Sequence, residues 1–213
     1  MDANLGLRQR KKLATRARIA AAAQQLFAER GFDPVTVAEV ARAADVSEGT
    51  VFNYFPAKED LFYSGMEAFE AELVDAVRRR PGGEPVLAAF RRFVLERLDR
   101  LAAEETATVV AASARLIGAS RALQVREREI VAAATDALAA LIAQETGAAA
   151  GDVEPAAAAA ALMGVQRAMV ARTRALVLGG GHGPGLAADI RAQAERGFAR
   201  LASGLGDYAP RPG

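Results

Sequence analysis

VTVAEVARAADVSEGTVFNYFPAKEDLF, Val35 to Phe62, reads as two short helices joined by a tight turn, a proline stop and the start of a third helix. Thr36 is followed three residues later by Glu39, a capping-box pattern that predicts a helix start. Val37, Val40, Ala41 and Ala44 then fall on one face at helical spacing. Asp45 interrupts the pattern, and Val46 returns to the core. Ser47 is a good N-cap for a second helix over about Glu48 to Tyr54. Pro56 cannot continue that helix and biases Phe55 away from helical geometry. Ala57 or Lys58 opens the next one. Two short helices in this order form a helix-turn-helix, whose second helix lies in the major groove of DNA.

The second helix has a definite free face. Successive residues turn by about 100°, so Val51 and Phe55 lie together and form the core side. Asn53 points away from them. Gly49 and Thr50 flank it, with Phe52 and Tyr54 at the two shoulders. An Asn amide pairs bidentately with adenine, and an aromatic ring suits a thymine methyl. The Thr50 and Tyr54 hydroxyls suit phosphate oxygens, which fix register without carrying sequence information. Lys58 would reach a flanking phosphate, and Gly49 permits close approach. Glu48 either accepts from cytosine N4 or simply favours the positive helix N-terminus.

These residues carry a resemblance. TRARIAAAAQQLFAERGFDPVTVAEVARAADVSEGTVFNYFPAKEDLF resembles the DNA-binding domain of the TetR (tetracycline repressor) family of bacterial transcriptional regulators. The shared pattern has a first helix with I, A and LF, a GF turn and a T-start helix. A V-S-x-G-T-x-x-x-Y-F recognition helix and a K-E-x-L helix follow. The resemblance covers residues about 12–72, with the motif at about 36–55. It implies phosphate contacts from Thr15, Thr36, Thr50, Tyr54 and Lys58, and variable base contacts from Glu48, Gly49, Phe52 and Asn53. Phe52 and Asn53 replace the more frequent Tyr-Tyr or Tyr-His type of pair, so base preference is not transferable from a relative.

Composition fits a two-part helical protein. The chain has 213 residues, rich in Ala and Leu, with Gly and Pro clustered between periodic runs. The fold class expected is all-α: a three-helix DNA-binding domain, then a larger helical effector-binding and dimerisation domain over 73–205 and a disordered tail over 206–213. The absence of Cys excludes disulfides, zinc fingers and thiol catalysis. No signal peptide is visible, and the longest apolar run, Pro155 to Val165, is too short to span a bilayer. A cytoplasmic protein without a membrane partner is expected. The net charge is only +1. Arg8, Arg10, Lys11, Lys12, Arg16 and Arg18 nonetheless crowd the N-terminus, where they would attract phosphate and make affinity salt-dependent.

Apolar periodicity and breakers predict helices over Gln9–Arg30, Ala57–Arg80, Pro85–Ala103, Glu105–Gly118, Ser120–Thr146, Asp152–Leu178 and Gly185–Leu205. The last two are rich in small residues, including Ala160, Gly164, Ala168 and Ala171. The resemblance implies that they pair with their copy in a homodimer. Two heads on a two-fold axis would read a palindromic double-stranded DNA operator with half-sites roughly 34–36 Å apart. It also implies a small-molecule effector site among the middle helices. Its candidate lining is Met66, Phe69, Leu73, Phe90, Phe93, Leu116 and Met163, with Arg115, Gln166 and Arg167 as polar anchors. A Met and Phe stripe is also what an ordinary core looks like. Such a lining suits a hydrophobic or amphipathic ligand, with any anionic group on an Arg.

The expected function is a ligand-responsive regulator, a repressor released by its effector. No catalytic residue, cofactor or metal site is expected. The single histidine, His182, lies in the Gly-rich GGGHGPG loop, which lacks the Lys and strand context of a phosphate loop. No HExxH or paired-His pattern occurs. The competing readings are a helical adaptor that binds only protein and an enzyme relying on carboxylates alone.

Overall fold

The computed structural model describes residues 6–205. The tail read from the sequence as disordered lies outside them. Among the described residues nine α-helices follow in order: α1 (Leu7–Arg30), α2 (Val37–Ala43), α3 (Glu48–Tyr54), α4 (Lys58–Arg78), α5 (Val86–Leu98), α6 (Glu104–Ala119), α7 (Arg121–Thr146), α8 (Glu154–Leu178) and α9 (Gly183–Leu205). A 3-10 turn over Asp99–Ala102 follows α5. No β-strand occurs among them, and the fold is all-α. No described helix is long and apolar enough to cross a membrane.

Packing divides the chain into two compact units. Among the described residues, the first combines those up to Glu67 with Leu116–Arg126; the second combines Ala68–Arg115 with those from Glu127 on. Helix α4 contributes its first half to one and its second half to the other.

The first unit is held by an aromatic and β-branched core. Ile19, Ala23 and Phe27 of α1 are buried with Phe32, Val35, Val40, Val51, Phe55 and Leu61. Phe27 and Phe32 meet at a tilt, with ring centroids 5.0 Å apart. Gly31 ends α1 with φ 84°, and its N–H donates to Phe27 O at 2.9 Å. Such a positive φ is nearly free only for glycine. Val37 and Val46, read from the sequence as core, are only half-buried, as is Leu26, whereas Val35 and Tyr63 lie inside.

The α6–α7 corner joins this unit through specific bonds. The Ser120 hydroxyl donates to Asp33 Oδ1 at 2.7 Å, and the Tyr63 hydroxyl to Leu123 O at 3.0 Å. Arg126 pairs with the buried Asp60 at 2.8 Å.

The second unit has a separate core drawn from the second half of α4 and from α5, α6, α7, α8 and α9. Phe90 packs against Phe198 and Phe69 against Phe93, at centroid separations of 6.0 and 5.4 Å. A Cβ at Gly197 would lie 3.0 Å from Val165 Cγ1, so α8 and α9 approach where glycine allows it. Arg80, fully buried, closes the end of α4. Its guanidinium donates to Val77 O, Glu84 O and Glu145 Oε2 at 2.8, 2.8 and 2.7 Å.

Candidate nucleic-acid interface

Two caps aim the second short helix. At α2 the box forms in full: Glu39 N–H donates to Thr36 Oγ1 at 3.2 Å, and Thr36 N–H donates to Glu39 Oε2 at 2.8 Å. The Thr36 backbone bond, with Arg30 on the other oxygen, holds the Glu39 carboxyl down at about 2, so it stays ionised. After α2, Asp45 takes φ 51°, a left-handed conformation that Asp tolerates better than most residues. The chain then turns into Ser47, whose Oγ accepts from Thr50 N–H at 3.1 Å.

The far end of α3 is pinned by Arg16 from α1. Its guanidinium donates to Tyr54 O at 2.8 Å and sits 4.3 Å from the Phe55 ring centroid. Phe55 itself is extended, at φ −140° and ψ 95°, as expected before Pro56. Arg16 was grouped in the sequence reading with the phosphate-attracting cations. Its role in holding the helix was missed, because a contact across 38 positions leaves no local signal.

With both ends fixed, α3 buries Val51 and turns Glu48, Gly49, Phe52 and Asn53 to solvent. Phe52 keeps 47% of its surface exposed, unusual for a large apolar ring and unexplained by packing within the chain. A Cβ on Gly49 would meet only Ser47 Oγ, at an ordinary 3.9 Å, so the chain itself does not require glycine there. Thr50 and Tyr54 are half-buried at the sides, and Thr50 Oγ1 lies 2.9 Å from Ser47 Oγ.

The remaining candidates lie on α1, at the N-cap of α2 and at the start of α4. Thr15 is half-buried on α1, and the exposed Thr36 hydroxyl donates to Glu39 Oε2 at 2.9 Å. Lys58 Nζ donates to Asp33 O at 3.1 Å and rests 4.2 Å from the Phe32 ring centroid. That partial burial lowers its pKa despite the nearby Asp33. Arg8, Arg10, Lys11, Lys12 and Arg18 are exposed along the start of α1. The outward face of α3 is polar and bears a ring, chemistry suited to a groove edge.

The candidates for an effector site distribute differently. Phe69, Phe90, Phe93, Met163 and Gln166 all belong to the second unit; Leu73, Phe90, Phe93, Met163 and Gln166 are buried and Phe69 is partly so. Met66 and Leu116 belong to the first unit and are half-buried. Arg115 and Arg167 are exposed. Glu70, which the sequence reading passed over, is buried and accepts from Gln166 Nε2 at 3.1 Å. Its signal was present: Glu70 lies four residues after Met66 and three before Leu73, inside an apolar stripe.

Comparison with known proteins places this geometry. Residues 19–64 match the family described as bacterial regulatory proteins, tetR family. Over 85 residues the chain is 36% identical to the HTH-type transcriptional regulator TcmR of Streptomyces glaucescens, covering 40% of this chain and 38% of that one. It is 34% identical over 85 residues to the HTH-type transcriptional repressor KstR of Rhodococcus jostii, covering 40% and 39%. The match thus spans about two fifths of the length of these relatives. The fold likeness is broader. FadR of Thermus thermophilus, a TetR-family transcriptional repressor solved with lauroyl-CoA, superposes with a TM-score of 0.52 at 25% identity, covering 89% of this chain and 94% of that one. The helix-turn-helix with its capped and outward-turned α3 agrees with these relationships: residues 19–64 carry the domain of bacterial regulatory proteins of the tetR family, and the chain is similar in fold to TetR-family regulators along most of its length.

Proposed function

We propose that the protein is a ligand-responsive DNA-binding transcriptional regulator, a repressor that reads a palindromic operator as a homodimer and is released by a hydrophobic or amphipathic effector. The observation that carries this reading is the outward face of α3, where Gly49, Phe52 and Asn53 are presented to solvent without a packing role. Asn53, Phe52, Gly49 and Glu48 read bases. Thr15, Thr36, Thr50, Tyr54 and Lys58 hold phosphates, with the α1 cations adding long-range attraction.

The dimer forms through α8 and α9. Ala160, Ala168 and Ala171 of α8 are exposed, as are Val170 and Leu178. An open groove of about 290 Å³ lined by Ala157, Ala161, Leu201 and Gly204 lies between these two helices. Small and apolar residues on one face favour close helix approach by a second copy. The effector binds in the second unit among Phe69, Phe90, Phe93, Met163 and Gln166; FadR of Thermus thermophilus, similar in fold, is itself solved in complex with lauroyl-CoA. Ligand shifts α4, changes the spacing of the two heads, and is in turn antagonised by DNA.

The test is selection of bound sequences from a random duplex pool with wild type and Asn53→Ala. The wild type should return a two-fold symmetric site and bind less tightly as salt rises. Asn53→Ala should lose preference at one base position per half-site, worth about 1–3 kcal/mol. Unchanged preference throughout the site would overturn the assignment of α3. Failure to bind duplex DNA at low salt would overturn the function and favour a protein-only adaptor.

A further inference from the structure

Glu70 on α4 and Gln166 on α8 are 5% and 6% exposed. They lie 96 positions apart and share one hydrogen bond, from Gln166 Nε2 to Glu70 Oε1. That bond leaves two acceptors, Glu70 Oε2 and Gln166 Oε1, which are buried and bonded to nothing in the chain. A buried polar atom without a partner costs about 1–3 kcal/mol. Two on one bonded pair are a reason to look for a missing donor.

The surroundings offer the chain no donor of its own. Phe69, Leu73 and Val74 neighbour Glu70 on α4, and Leu162, Met163 and Met169 neighbour Gln166 on α8; all six pack in or against the apolar core. Three arginines of the unit are engaged elsewhere. Arg97 stacks 3.5 Å from the Phe93 ring centroid and donates to Glu72, Arg174 pairs with Glu127, and Arg80 with Glu145. Arg115 and Arg167, the cations an anionic ligand would want, are exposed.

We infer that the Glu70–Gln166 pair is the polar anchor of a ligand site in the helical unit, and that its ligand presents an N–H or O–H donor, a protonated amine above all, on an aromatic or aliphatic frame. The inference rests on the effector reading above and narrows it: the site selects donors and cations and discriminates against carboxylates. An ammonium would give Glu70 a counter-ion and fill both open acceptors, while the Phe69–Phe93 ring pair offers apolar area for the frame on the sides that Arg97 does not cover. With Glu70 ionised, a carboxylate of the same shape would face two acceptors and no cation, a repulsive arrangement in low dielectric. Burial already raises the Glu70 carboxyl from 4.5 to about 7, only partly offset by Gln166. Near neutral pH an arriving ammonium therefore shifts Glu70 from carboxylic acid to carboxylate, and the proton goes to the buffer.

The experiment is calorimetric titration of the full chain, without DNA, against matched pairs: n-octylamine with octanoate, 4-phenylbutylamine with 4-phenylbutyrate, and tryptamine with indole-3-propionate. At least one amine should bind about tenfold or more tightly than its carboxylate partner. Its binding should release about half a proton at pH 7 and approach one as the pH falls below that value, read by repeating the titration in buffers of different ionisation heat. Glu70→Gln should abolish both the preference and the proton release. Gln166→Met, which keeps the bulk and removes one acceptor, should weaken the amine and leave the proton release. Carboxylates binding as tightly as amines, amine binding indifferent to both substitutions, or no amine binding would each overturn the inference. DNA affinity is measured separately. Amine binding through Glu70 with unaltered DNA affinity sinks the regulatory reading and leaves the site standing, whereas DNA binding with no amine binding sinks only the site.

Discussion

The outward face of α3 and the Glu70–Gln166 pair are both polar sets that the chain does not satisfy by itself, but they differ in what they cost. Asn53 and Glu48 stand in water, which serves their amide and carboxylate for nothing. Glu70 and Gln166 sit in an apolar core, where two acceptors go unserved. A surface site can thus be built with little loss of stability, while a buried one lowers the stability of the unit that houses it. That contrast sets how each responds to substitution.

The largest effect should come from beneath the surface face. Phe55 is buried under α3 with Arg16 lying over its ring. Phe55→Ala should destabilise the first unit by about 3–5 kcal/mol in urea denaturation, because it leaves a cavity that the short helices cannot fill. Retention of full stability would mean that α3 is held by its caps alone.

The next effect tests the buried member of the comparison by pH. Glu70 has a raised folded-state pKa, so the native state binds its proton more tightly than the unfolded chain does. The contribution is neutral below about 4.5, becomes unfavourable as pH rises through about 7, and is constant above. The shift corresponds to about 3 kcal/mol at full ionisation. Glu70→Gln should therefore be more stable than wild type at pH 8 and nearly equal to it at pH 4.5, measured by denaturation at both values. A constant difference across that range would show that ionisation is not what the core resists.

The third is the converse at the surface. Gly49→Ala adds a methyl that meets nothing closer than 3.9 Å within the chain. Stability should change by no more than about 1 kcal/mol, in the favourable direction. DNA affinity should nevertheless fall about tenfold, read by fluorescence anisotropy, if backbone must approach the groove at this point. Affinity unchanged would place the groove contact elsewhere on α3.

How far each region was legible in the sequence follows from the range of its interactions. The helix-turn-helix was readable because its determinants are local: Thr36 with Glu39, Ser47 with Thr50, Gly31 at the end of α1, Pro56 after Phe55. All formed as the pattern implied. Helix ends fell within two or three residues of expectation except in α5. Periodicity ran that helix to Ala103, whereas it ends at Leu98 and tightens into a 3-10 turn, a common way for a helix to finish. What could not be read was long-range. Ser120 meets Asp33 across 87 positions, so nothing in the sequence assigned Leu116–Arg126 to the first unit. Gln166 was singled out, but its partner Glu70 was not, since carboxylates on amphipathic helices are usually solvated. Here the helical register should have overruled composition.

The smallest effect is the most discriminating for the surface site. In the free protein Lys58 Nζ is held by Asp33 O and the Phe32 ring, so any phosphate contact must draw it out of that seat. Lys58→Ala should cost only about 0.5–1 kcal/mol of stability, the worth of a partly exposed cation–π contact. If the residue also reaches phosphate, the variant should bind all DNA sequences more weakly by the same factor. The slope of log affinity against log salt should shrink by about 1. A purely structural lysine would lower stability by the same amount and leave that slope untouched, because a side chain that stays on Phe32 releases no counterion from the duplex.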